Sequence, residues 1–184
     1  MKLNAEYTKA QLCAIGEHLV ALEILAKGWD AILANMSINN IQSYDIVCVK
    51  PDTADIKLIQ VKTSVGNNIS IGMKLKDAVT EALEKKIVGP WVFVYLEKIQ
   101  DEYQPHFFVL SRSEVIRLIN DTNHWYIHEW KDTYRKKPIS EENTCGICIK
   151  WLQGKGEEDD YKHNAMENPL SESSENQWNK IWDD

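Results

Sequence analysis

Two β-rich runs, Tyr44 to Lys50 (YDIVCVK) and Ile56 to Lys62 (IKLIQVK), lie on either side of a short polar break containing Pro51, Asp52 and Asp55. Val, Ile and Tyr suit a pleated, half-buried surface, and a break of this composition turns the chain back, so the stretch predicts an antiparallel hairpin. Hydrophilic side chains interrupt the runs at Asp45, Gln60 and Lys62. Side chains alternate along a strand, so Gln60 and Lys62 share one face while Ile59 and Val61 point to the other. In an antiparallel pair the start of one strand lies beside the end of the next, which brings Asp45 towards Gln60 and Lys62. A carboxylate, an amide oxygen and an ammonium converging at the rim of an apolar sheet suit a metal ion and a phosphate.

A helix is predicted over Thr8 to Lys27, because Leu12, Ile15, Leu19 and Leu22 recur at helical spacing and Gly28 is placed to stop it. Glu17 falls beside that apolar stripe and could equally be a solvated helix glutamate. Trp29 to Met36 reads as a first strand, and the VGNNISIG segment after Ser64 as a turn. Lys74 to Ile87 reads as an amphipathic helix with Leu75, Val79, Leu83 and Ile87 on one side. Trp91 to Glu97 and His106 to Leu110 predict two more strands, and Ser113 to Asn120 a helix capped by Ser113. His124 to Trp130 reads as a short strand, and Lys131 to Lys137 as a basic cluster around Tyr134 that suits either a phosphate backbone or a solvated loop. Gly154 to Asp160 reads as a charged linker. Near the end, Trp178, Ile181 and Trp182 share a helical spacing that would dock a terminal helix on the core. The alternation of helices and strands is that of a mixed α/β sandwich.

The 184 residues, 43% hydrophobic and 27% charged, suffice for one domain with an extension. Residues 1–120 are expected to form the core and residues 121–184 a C-terminal extension of short strands, acidic linker and terminal helix. No apolar run reaches the roughly 20 residues that span a bilayer. The first residues lack the apolar core of a secretion signal, and Cys13, Cys48, Cys145 and Cys148 are too few for a disulfide scaffold, so a cytoplasmic setting is expected. Cys145 and Cys148 form a lone C-x-x-C without the second pair a structural zinc needs, and they read as incidental cysteines of a hairpin. His124 and His128 read as core or rim histidines. The net charge of −7 works against non-specific binding to nucleic acid.

Gly16-Glu17 in the first helix, Asp45 in the first hairpin strand and Gln60-Val61-Lys62-Thr63-Ser64 in the second resemble the PD-(D/E)XK nuclease superfamily. The likeness is greatest to resolvase-like and homing-endonuclease-like members that carry Gln-x-Lys, and it covers about Thr8 to Leu96. It implies a restriction-endonuclease-like αβββαβ core, with a mixed central sheet flanked by helices. It also implies a Mg²⁺- or Mn²⁺-dependent hydrolase of DNA phosphodiester bonds, in which a homodimer would serve double-strand cutting. Asp45 would be the main metal ligand, joined by the Gln60 side chain, the Val61 carbonyl and Glu17. Lys62 would orient or deprotonate the attacking water. Thr63 and Ser64 could hold a phosphate oxygen or be simple strand-end hydroxyls, with the latter favoured. Tyr44 stands at the family's Pro, and Gln60 removes one negative charge from the site. The alternative implied by Gln60 and the acidic balance is a non-catalytic module of the same fold that binds a protein partner, as an immunity or regulatory protein would. A DNA substrate requires positive charge gathered around Lys57, Lys62, Lys74, Lys76 and the stretch from Lys131 to Lys137.

Overall fold

The computed structural model describes residues 7–34, 43–129, 139–155 and 167–183. Helix α1 spans Lys9–Ala26. It opens on Thr8, whose hydroxyl accepts from the Gln11 amide at 3.3 Å while the Gln11 side chain accepts from the Thr8 N–H at 2.9 Å. This reciprocal pair satisfies two donors that a helix start leaves unbonded. Gly28, at φ 79°, supplies the left-handed residue that ends the helix.

Five strands form the central sheet in the order β1-β2-β3-β5-β6. Strand β2 (Ile46–Lys50) runs antiparallel to both of its neighbours, β1 (Asp30–Leu33) and β3 (Asp55–Ser64). The β2–β3 turn occupies residues 51–54, where Ala54 adopts φ 57° and its N–H donates to the Lys50 carbonyl at 2.8 Å. Helix α2 (Thr80–Lys86) carries the chain across to β5 (Trp91–Ile99), which lies parallel to β3. Strand β6 (Glu102–Leu110) then returns antiparallel. One parallel pair among antiparallel ones makes the sheet mixed, and helices flank both of its faces.

Alternation on β5 divides the apolar residues between two cores. Val92, Val94 and Leu96 join Val20 and Ile24 of α1 with Ile46, Ile59 and Val61, while Trp91 and Phe93 join Leu83, Leu118 and Ile119 on the opposite face. A strand buried on both faces reads as a continuous apolar run, which is what WVFVYL is. Each fully buried Val, Leu or Phe contributes on the order of 1.5–3 kcal/mol relative to exposure. The second face is completed by α3 (Arg112–His124), by the strand pair β4 (Asn68–Lys74) and β7 (Thr144–Cys148), and by the short α4 (Ile149–Leu152). A 3-10 turn over Trp178–Trp182 packs Trp178 and Ile181 onto the α1 face. No helix of the described residues is long and apolar enough to cross a membrane.

Several expected elements differ. Asn68–Lys74 is a strand rather than a turn, with Ile69 and Ile71 buried against β7. The helix expected from Lys74 breaks into a 3-10 turn at Leu75–Asp77 and a later α2, leaving Val79 at the cap and 51% exposed. The cap of α3 is Ser111, whose hydroxyl and the Glu114 carboxylate reciprocate as at Thr8, and not Ser113. Trp125–Glu129 continues α3 as a π-helical turn instead of forming a strand. Cys145 to Cys148 lies in β7, whose partner β4 is remote in sequence. The first strand stops at Leu33, and residues 35–42, like the basic cluster at 131–137 and most of the charged linker, lie outside the described residues.

Candidate active site

The backbone ladder between β2 and β3 reaches Ile46 and Ile59 and then changes character. Asp45 still donates its N–H to the Ile59 carbonyl at 2.8 Å, and its own carbonyl accepts from Ala34 at 2.8 Å. Beyond that point a side chain takes over. Asp45 Oδ2 accepts from the Val61 amide at 2.7 Å, and Gln60 Nε2 donates to the same oxygen. Asp45 and Gln60 are each 7% exposed. The carboxylate thus sits where the two strands part, inside the sheet rather than on its edge. Burial of a carboxylate is tolerated because donors converge on it.

Lys62 follows two residues after Gln60 and shares its face. Its ammonium lies 5.2 Å from the centroid of the Trp91 ring. Burial lowers its pKa below the usual lysine range, Asp45 and Cys13 pull it back up, Lys9 lowers it further, and Glu17 raises it last and least. These four groups are therefore its electrostatic surroundings.

Glu17 reaches this region through a close helix–strand contact. A Cβ placed on Gly16 would fall 1.8 Å from Thr63 Oγ1, so the absent side chain lets α1 rest directly on β3. Glu17, half-buried, and Cys13, one turn earlier, are carried with it. Burial raises the Cys13 thiol's pKa, with Glu17 adding to the rise and Lys62 opposing it.

The structure brings Asp45, Gln60 and the Val61 backbone into direct contact, with Lys62 beside them and Glu17 within electrostatic range. Thr63 Oγ1 is buried beneath Gly16, without a hydrogen-bond partner among the described residues. The Ser64 hydroxyl is engaged with Gly66 and Asn68. Neither hydroxyl is presented to a phosphate. Lys74 and Lys76 both pair with Glu142, and Lys57 lies in register with Cys48 on the face away from Lys62, so the expected gathering of cations is not assembled by these residues. Cys145 is buried against Asn123 Oδ1 at 3.5 Å, and the rings of His124 and His128 stand 4.7 Å apart on an exposed turn. His163, the next histidine after these cysteines in the sequence, lies outside the described residues. Among the described residues no three His, Cys, Asp or Glu side chains converge as a metal-binding group.

Two neighbours of the site were not singled out by sequence reasoning. Cys13 is i−4 to Glu17, a spacing that shares a helix face. Trp91 opens β5 in register with Gln60, a pairing that only the parallel crossover reveals.

A hard divalent cation takes oxygen ligands and retains several waters. Gln60 Nε2 lies 3.5 Å from the Val61 carbonyl as well as against Asp45. A half-turn of the Gln60 amide exchanges its nitrogen and oxygen and would put the amide oxygen beside the Asp45 carboxylate and the Val61 carbonyl. The donor set fits a magnesium-like ion.

No family model and no curated protein matches the sequence. Among solved structures, a bacterial homing endonuclease is similar over 59% of this chain and 68% of its own, at 13% identity and a TM-score of 0.37.

Proposed function

We propose that the chain hydrolyses DNA phosphodiester bonds with a divalent cation held by Asp45, the Gln60 amide oxygen and the Val61 carbonyl, with Glu17 as a further ligand. The observation that carries this reading is the buried Asp45–Gln60 contact at the parting of β2 and β3, with the half-buried Lys62 on the same face. The bound cation would supply charge neutralisation at the phosphate. Lys62, whose proton is loosened by burial, would orient the attacking water and accept its proton. As an ammonium it would offset the phosphate's charge. A homodimer would present two such sites to the two strands of a duplex.

A second reading is a non-catalytic module of the same fold that binds a protein partner. It is favoured by the net charge of −7 and by the sequestering of Lys74 and Lys76 on Glu142. Cleavage of supercoiled, linear and branched DNA with Mg²⁺ or Mn²⁺, run beside Lys62→Ala and Asp45→Ala, separates the two. Metal-dependent cutting lost in both variants is expected, together with loss of Mg²⁺ binding by calorimetry in Asp45→Ala. Cutting that survives Asp45→Ala would refute the site. A folded protein that neither cuts DNA nor binds metal would support the binding module.

A further inference from the structure

We propose that Trp91 is a positioning residue for this site, its indole face being the platform that holds the Lys62 ammonium where Asp45 and Gln60 meet. The catalytic consequence rests on the proposed nuclease reading, whereas the platform itself does not.

A lysine at a working site has four rotatable carbons to restrain, and an unrestrained ammonium spreads over many positions. The Trp91 ring meets it face-on within the distance at which a ring's quadrupole attracts a cation, the separation being 5.2 Å. The ring is itself held still. Trp91 is 4% exposed, its centroid lies 5.8 Å from that of Phe93, and its backbone is in register with Gln60. The platform is therefore built on a central strand and pinned to the residue that touches Asp45. An indole also differs from a carboxylate in what it leaves behind. It holds the cation without adding a second net negative charge beside Asp45.

The first test needs neither DNA nor metal. In metal-free protein, the ε-methylene protons of Lys62, assigned by their absence in Lys62→Arg, should be displaced upfield by the indole ring current. The displacement should vanish in Trp91→Leu and persist, reduced, in Trp91→Phe. Signals at ordinary lysine positions in the unmodified protein would overturn the proposal, and that reading stands even if Trp91→Leu does not fold. The second test is kinetic. Trp91→Leu should lower kcat roughly tenfold or more with little change in KM, one decade being about 1.4 kcal/mol of barrier. Trp91→Phe, which keeps a π-face, should stay within about threefold of the unmodified protein. Equal losses in Leu and Phe would make the ring structural packing and refute positioning. Absence of cleavage in every sample, with the ring-current pattern intact, would count against the nuclease reading alone.

Discussion

Replacing Gly16 with alanine tests the contact that brings α1, and Glu17 with it, onto the sheet. The added Cβ would lie 1.8 Å from Thr63 Oγ1, 2.9 Å from its Cβ and 3.1 Å from its Cγ2. The first distance falls roughly 1.7 Å short of the ~3.5 Å at which heavy atoms pack best. A rotation about χ1 of Thr63 relieves that contact but not the one to Cβ, so the helix must lift as well. Overpacking of this kind costs about 1–3 kcal/mol. Against it, alanine gains about 0.8–1.0 kcal/mol over glycine inside a helix. The variant should therefore lie up to about 2 kcal/mol below the unmodified protein, where the same change on an open helix face would stabilise it. Thr63→Ala removes two of the three contacted atoms, and its hydroxyl is buried without a partner among the described residues, so that change alone should be mild. In the double variant the contacts to Oγ1 and Cγ2 disappear, only the 2.9 Å approach to the Cβ at position 63 remains, and much of the strain is relieved. Urea unfolding followed by tryptophan fluorescence would give all four stabilities, and the cycle should show a coupling of about 1–3 kcal/mol in the relieving direction. A coupling below about 0.5 kcal/mol, or a Gly16→Ala protein more stable than its parent, would refute the direct helix–strand contact.

Two further predictions concern the cores. Burial pushes the thiols of Cys48 and Cys145 up to about 11 from the ordinary 9.0. Between those values the unfolded chain has released protons that the folded chain retains, so stability should fall as pH rises from about 9 to about 11. Urea midpoints across that window should decline less steeply in Cys48→Val, and slopes identical to the parent's would contradict the burial argument. Trp178 is 5% exposed, with its ring 5.5 Å from Phe107 and Lys27 over it at 5.1 Å, so Trp178→Ala should cost about 3–5 kcal/mol. A loss below about 1 kcal/mol would mean that the terminal turn lies on the core without supporting it.

The parts of this fold that can be read from sequence are those governed by neighbours along the chain. The hairpin of β2 and β3 follows from alternation, and Gly28 from the left-handed residue a helix end needs. Antiparallel geometry alone brings Asp45 to Gln60. Strand β4 shows how a readable pattern is missed. Ile69, Ile71 and Met73 alternate with Ser70 and Gly72, but the adjacent glycine and asparagines suggest a turn, and its partner β7 lies some seventy residues on. The cap at Ser111 was legible too, since Glu114 stands three residues later to complete the box, whereas Ser113 has no such partner. Val79 has the correct helical spacing and the wrong environment, because the 3-10 turn at Leu75–Asp77 resets the phase before α2 begins. At His124 to Glu129, aromatic and β-branched residues favour a strand only until α3 simply continues into them. Trp91's place beside Lys62 depends on the crossover that makes β3 and β5 neighbours, and no local pattern reports it.

The terminal turn also imposes a timetable. The sheet surface that receives Trp178 and Ile181 is made by α1 and strands that end at Leu110. At roughly 5–20 residues per second, synthesis of the intervening stretch takes about 3–14 s. For that interval Phe107 and its neighbours have no cover from the chain's own later residues, and each new molecule passes through a period when its apolar surface is open to chaperones or to another nascent chain.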